Sequence, residues 1–268
     1  MDFSSLPEIL ADTANIEIEA GERVDRTGFG DLLLIQKPED FCYGVDAVIL
    51  ADFAANGFER KKKTGRVIDL GTGSGIIPLI LSHKTSAAEI YGMELQEDSF
   101  RRAQRNFALN GLTHRLKAIH EDVANTASSE LAALRGGFDM VTSNPPYMKG
   151  LGGLINKNDA KTIARHETSA DLADFVKAAR FLLRDKGELC MVHRPSRLVD
   201  IFAACREQRL EPKELRFVCP KEGQVPNILL VRCVKNGGHE LRILLPLYVY
   251  ERDGKGYSEE IMHIYERS

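Results

Sequence analysis

From residue 66 onward, short apolar runs alternate with longer stretches in which apolar positions recur every three or four residues. The runs at 66–70, 89–93, 116–120 and 138–142 suit buried strands, and 76–83 and 97–110 carry helical spacing. Strands interleaved with helices predict an α/β fold built on a doubly wound, mostly parallel sheet. Asn110-Gly111 stands where the second helix should stop, since both residue types accept the left-handed cap conformation. Further on, Ser169 and Asp171 can cap a helix running to about 184. A strand at 187–192 and a helix at 196–208 follow. The apolar runs 214–219 and 227–233 have no helix-length segment between them, which forces an antiparallel pair at one sheet edge. A last strand-like stretch, 241–250, precedes a polar tail. Upstream, 31–36 reads as a strand and 46–55 as a short helix, so residues 1–60 form an extension to a core of 61–268. The first fifteen or so residues carry little signal.

Composition narrows the class. With 43% hydrophobic residues the chain can build a real core. No apolar run approaches the ~20 residues of a membrane span, and the start lacks a basic region followed by an apolar signal core, so a cytoplasmic protein with no membrane contact is expected. The five cysteines are odd in number and widely spaced, which suits buried thiols in a reducing compartment. The seven histidines include no H-E-x-x-H, and no metal is expected. A net charge of −3 argues against a uniformly basic surface. The lysine run 61–63 reads more simply as a solvated loop than as a binding patch.

Chemistry concentrates at two places. The run 138–142 ends in Ser143-Asn144-Pro145-Pro146-Tyr147. Proline cannot donate to a sheet ladder and pushes the preceding residue out of the helical region, so the chain leaves the sheet extended at Asn144. A carboxamide held there beside an aromatic can grip a planar group that carries an NH2, and adenine is the obvious candidate. The segment 148–165, rich in Gly, Asn and Lys, then reads as an active-site loop.

The second place is Asp69-Leu70-Gly71-Thr72-Gly73-Ser74-Gly75, which runs from a strand into a helix. The spacing is G-x-G-x-G, with Ile76 where the dinucleotide fingerprint has its last glycine. Glu94, at the end of the next strand, can accept from both hydroxyls of a ribose. Asp69 would repel a pyrophosphate and attract an ammonium. A ribose with a cationic amino-acid tail describes S-adenosylmethionine. Asp122, at a third strand end, can accept from the adenine amine of that ligand while Val123 offers its N–H. It also suits a turn or helix cap.

These motifs resemble the class I S-adenosylmethionine-dependent methyltransferases, and Asn144-Pro145-Pro146-Tyr147 is similar to the tetrad of their amino-methylating branch. Asp31-Leu32-Leu33-Leu34-Ile35-Gln36, residues 41–52, the tetrad and Ala164-Arg165-His166-Glu167 resemble the bacterial tRNA (adenine-N6)-methyltransferases that modify the adenine beside the anticodon of a valine tRNA. The resemblance implies a Rossmann-like, seven-stranded sheet with one reversed strand, S-adenosylmethionine as donor, S-adenosylhomocysteine as product, and tRNA as partner. It implies cofactor contacts from Tyr43, Asp46, Ala47, Asp69, Gly71, Gly73, Gly75, Glu94, Leu95, Asp122, Val123 and Asn144. Asp46 also fits an ordinary helix start.

An adenine amine is a poor nucleophile because its lone pair is delocalised into the ring. The expected chemistry has the Asn144 side-chain carbonyl and the Pro145 backbone carbonyl each accept one N6 hydrogen, aiming the lone pair at the sulfonium methyl. Tyr147 would stack on the base, unless it packs beneath the loop. Pro146, Lys149, Arg165 and His166 are candidate substrate contacts, though solvent-facing charge fits Lys149 equally well. Two rivals stand beside this reading. One is a glutamine methyltransferase acting on release factors, whose members carry a helical amino-terminal domain that about 65 residues do not accommodate. The other is a non-catalytic RNA- or nucleotide-binding module on the same fold. Oligomeric state is not legible.

Overall fold

The computed structural model describes residues 16–39, 43–60, 64–126, 129–146 and 170–266. The chain opens with a hairpin of β1 (Arg23–Arg26) and β2 (Leu33–Gln36), paired antiparallel. After it come α1 (Val45–Arg60), β3 (Arg66–Leu70), α2 (Ile76–Lys84), β4 (Glu89–Glu94), α3 (Glu97–Leu109), β5 (Leu116–His120) and a short α4 (Ser129–Ala132). Then follow β6 (Phe138–Ser143), α5 (Leu172–Leu182), β7 (Leu183–His193), α6 (Leu198–Glu207), β8 (Leu210–Cys219), β9 (Ile228–Lys235), β10 (Arg242–Ile243), β11 (Leu247–Tyr248) and α7 (Glu259–Ile264).

Apart from the β1–β2 hairpin, the strands form one sheet in the order β10-β8-β9-β7-β6-β3-β4-β5, with β11 also on β8. All neighbours are parallel except at β9, which runs against both β7 and β8. Residues 220–227 are too few for a crossover, so β8 and β9 must form a hairpin. The hairpin folds inward, and the reversed strand lies between β7 and β8, with β10 and β11 further out on β8. The seven long strands are the Rossmann-like sheet expected from the sequence, with β10 and β11 as short additions.

Alternation along the strands feeds two cores. Val67 and Met140 face α1, α2, α7 and the inner side of α3, whereas Ile68 and Val141 face α5 and α6. Cys190, Cys205, Cys219 and Cys233 are buried thiols in these layers. Among the described residues, no helix is long and apolar enough to cross a membrane.

Several elements differ from the sequence reading. Helix α1 continues to Arg60, through Gly57, which makes room for a buried cation: a Cβ there would lie 1.8 Å from Arg232 Nη1. Arg232 bonds Glu188 at 3.1 Å, Glu214 at 2.8 Å and the Phe53 carbonyl at 2.5 Å. Strand β7 begins at Leu183, inside the stretch read as helix, with Lys186 at φ 58°. The run 241–250 yields only two two-residue strands, and Ile243 and Leu245 are exposed. The polar tail holds α7, capped by the Ser258 hydroxyl accepting from the Ile261 amide at 3.3 Å. Its signal was Ser258 followed by Ile261 and Ile264, both buried.

Candidate active site

The glycine loop leaves β3 between β4 and β6. Gly71 and Thr72 donate their amides to the Met93 carbonyl, each at 2.9 Å, which fastens the loop to β4. Gly73 has φ 57° and nothing within 4 Å of where a Cβ would stand. It is the position over which a ligand can approach the backbone. Gly75 differs: with φ 84°, it would place a Cβ 2.7 Å from the Phe107 ring, so its bareness serves the packing of α2 on α3.

Glu94 closes β4 and faces this loop. Its Oε2 accepts from the Gly73 amide at 2.8 Å and its Oε1 from the Gln96 amide at 2.9 Å. A carboxylate offers about four lone-pair sites, so both oxygens retain capacity for a ligand's hydroxyls. Beside it, the Leu95 carbonyl lies 2.8 Å from His120 Nε2, and the His120 ring stacks on Phe100 at 4.9 Å between centroids.

Asp69 lies beneath the loop, fully buried. Its register partner on β6 is Thr142, whose hydroxyl donates to Oδ1 at 2.7 Å. Oδ2 and the Thr72 hydroxyl are both buried, and Thr72 interacts with this carboxyl. Burial pushes the Asp69 carboxyl up to about 7, with the Thr142 and Thr72 hydroxyls opposing and the charge of Glu94 adding to the rise. A carboxylate buried this deeply is costly, and nearby positive charge would favour its ionised form.

Asp122 follows β5. Its Oδ1 accepts from the Ala124 amide at 2.8 Å, which caps the turn Val123–Asn125, and the Val123 side chain is buried. The turn-cap reading of Asp122 therefore holds.

Beyond β6, the Ser143 hydroxyl donates to the Leu70 carbonyl at 3.2 Å, and Ser143 pairs with Leu70 in register. Asn144 starts where β6 ends, half-buried, with Pro145 buried and Pro146 exposed. Strand order reverses between β3 and β6, and the crevice at such a switch point is where open α/β sheets bind ligands. The loop from Gly71, Glu94, Asp122 and Asn144 thus share the carboxyl edge of four adjacent strands. Tyr43 packs part-buried on the first core, Asp46 lies in the first turn of α1, and Ala47 is buried behind it. Tyr147, Lys149, Arg165 and His166 lie outside the described residues. Sequence reasoning missed Thr142, which only sheet register sets against Asp69. It also missed Asn106, whose carboxamide donates to the Ser74 carbonyl at 2.8 Å.

Comparison with known proteins bears on the family and the fold. The model of the methyltransferase small domain matches residues 48–199, more than half of the chain. The tRNA1(Val) (adenine(37)-N6)-methyltransferase of Parabacteroides distasonis is 27% identical over 70% of this chain and 74% of its own length. The protein of the same name from Porphyromonas gingivalis is 29% identical over 65% and 67%. A predicted O-methyltransferase from Agrobacterium tumefaciens shares the fold, with a TM-score of 0.65 and 21% identity over 83% of this chain and 97% of that one. A 16S rRNA methyltransferase of T. thermophilus, solved with AdoMet and guanosine, gives a TM-score of 0.55 and 20% identity over 80% and 50%. The chain belongs to the methyltransferase small domain family and is an S-adenosylmethionine-dependent methyltransferase.

Proposed function

We propose that the protein methylates N6 of an adenine in tRNA, and that the acceptor is the anticodon-loop adenine of a valine tRNA. The observation that carries this reading is the position of Asn144: it leaves β6 directly across the switch point from the open glycine loop, followed by Pro145 and Pro146. The names of the relatives favour tRNA adenine over other amines.

The donor's sulfonium supplies an already activated methyl group. Glu94 would accept from the ribose hydroxyls, Asp122 from the adenine amine of the donor, and Asp69 would balance the cationic end from beneath the loop. Tyr43, Asp46 and Ala47, at the root of α1, would line the methionine end. At the acceptor side, the Asn144 side-chain carbonyl and the Pro145 carbonyl each accept one N6 hydrogen. This would bend the amine toward tetrahedral and aim its lone pair at the methyl carbon; as the N–C bond formed the S–C bond would break, S-adenosylhomocysteine would leave, and the methylated amine would release its extra proton to solvent. The work is orientation and charge placement, with no tuned base required. Tyr147 stacks on the extruded base, worth ~1 to 3 kcal/mol against the cost of unstacking. Lys149, Arg165 and His166 meet the flanking RNA.

Labelled S-adenosylmethionine offered separately to unmodified tRNA, adenine-containing DNA and release factor tests the assignment. Label recovered as N6-methyladenine from tRNA supports it, and label confined to protein or DNA refutes it.

A further inference from the structure

The amino-terminal hairpin is held by two asparagines, Asn106 within α3 and Asn110 at its C-cap, that imitate a third strand. Asn106 accepts from the Ile35 amide at 2.6 Å and donates to the Ile35 carbonyl at 3.2 Å. One turn later, Asn110 accepts from the Leu33 amide and donates to its carbonyl, both at 2.8 Å. The match is geometric. Four residues of helix rise ~6 Å and two residues of strand ~6.6 Å, so carboxamides at i and i+4 meet alternate residues of an edge strand. Glu22, just before β1, completes the seat by pairing with Arg102 at 2.9 Å and Arg105 at 2.6 Å.

The two asparagines are not equivalent. Asn110 Nδ2 spends its other bond on the Asn106 carbonyl, within the helix. Asn106, fully buried, sends the same atom to the Ser74 carbonyl, between Gly73 and Gly75. Gly71, Gly73 and Gly75 all have positive φ, so this loop has much backbone freedom to lose on binding, and the Ser74 bond removes part of it in advance. Strand β2 in turn leads toward the start of α1.

We propose that Asn106 is a positioning residue for the methyl donor: it ties hairpin docking to the shape of the glycine loop, so that hairpin closure and donor binding are one coupled equilibrium. Linkage makes the coupling reciprocal, and a bound donor must tighten the hairpin as much as the hairpin tightens the donor. The inference rests on the donor lying over this loop and is independent of the acceptor.

The test uses the full chain and S-adenosylhomocysteine. Asn106→Ala should weaken its binding by about tenfold and raise the KM for S-adenosylmethionine in step, while kcat at saturating donor stays within about threefold. Asn110→Ala loosens the same hairpin edge but keeps the Asn106–Ser74 bond, so linkage predicts a smaller loss of donor affinity, about two- to threefold. In the unmutated protein, saturating S-adenosylhomocysteine should slow hydrogen exchange at the Leu33 and Ile35 amides. Equal weakening by the two variants overturns the proposal, as does unchanged affinity in Asn106→Ala. Unchanged exchange at Leu33 and Ile35 overturns it without any variant having to fold. Failure of the unmutated protein to bind S-adenosylhomocysteine would count against the donor site itself.

Discussion

Glu94 Oε2 accepts the amide of Gly73 at 2.8 Å, so the carboxylate that ends one strand shapes the loop that follows its neighbour. The bond orients Glu94 toward the open side of the loop, where a ribose would lie. Glu94→Ala removes both the loop tether and the ribose acceptor. A hydrogen bond to a charged group is worth ~1.5 to 3 kcal/mol, so the Kd for S-adenosylhomocysteine should rise ~10- to 100-fold. Glu94→Gln keeps one acceptor and should fall between. Titration calorimetry on the three proteins decides the order.

The glycines of the loop should separate by what they serve. Gly73→Ala pays ~1 kcal/mol for the left-handed conformation, and its methyl enters open space, so folding is little changed while donor affinity drops. Gly75→Ala adds a contact of 2.7 Å with Phe107 and should lose ~2 to 4 kcal/mol of stability. Denaturant midpoints read beside donor affinity show whether the two losses fall on different variants. Trimming Phe107 to Leu should restore part of the stability in Gly75→Ala and none in Gly73→Ala.

Asp69 makes a prediction about pH. Burial holds its carboxyl up at about 7, against an ordinary value of 3.8, so between these values the folded chain binds the proton more tightly than the unfolded one. Its contribution to stability therefore falls as pH rises through that window, by at most ~4 kcal/mol, and is level above it. His193 acts oppositely: burial, aided by Arg197 and Arg194, holds its imidazole down at about 4, and its contribution is lost as pH falls below 6.5. The comparison of the unmutated protein with Asp69→Asn isolates Asp69. A cationic ligand favours the carboxylate, so donor affinity should climb with pH up to about 7 and be flat in Asp69→Asn. Parallel affinity curves would remove Asp69 from the cationic end of the site.

Glu22 anchors the hairpin by charge. Burial would raise its carboxyl, but the bonds from Arg105 and Arg102 outweigh this and bring it to about 2. Its stabilisation is present above the ordinary value of 4.5 and is lost as pH falls toward 2. Glu22→Ala leaves the Arg102 guanidinium buried without this partner and should cost about 3 kcal/mol. Urea unfolding at pH 7 and pH 3 checks both parts, since the variant's deficit should shrink at the lower pH.

The central fold was legible because its signals are local. Apolar runs mark β3, β4, β5 and β6, Asn110-Gly111 stops α3, and two runs without a helix between them require the β8–β9 hairpin. Where that hairpin inserts, beside β7, depends on long-range pairing that no local pattern encodes. Strand β1 was missed because Arg23-Val24-Asp25-Arg26 has one apolar side chain, and it is ordered by pairing to β2. In the site, Glu94 and Asp122 were readable as carboxylates at strand ends. Asp69 was readable as a charge, but its seat against Thr142 exists only in the register of β3 on β6. Asn110 looked like a helix stop, and it is one; its side chain bonds Leu33, which no spacing along the helix reveals.

The most direct test of the central claim is single-turnover transfer to unmodified valine tRNA by the unmutated protein and by Asn144→Ala, with S-adenosylhomocysteine affinity measured on both. The account predicts N6-methyladenine in the anticodon loop with the unmutated protein, and a loss of at least ~100-fold in Asn144→Ala with donor affinity nearly unchanged. Transfer by Asn144→Ala at close to the unmutated rate would contradict it.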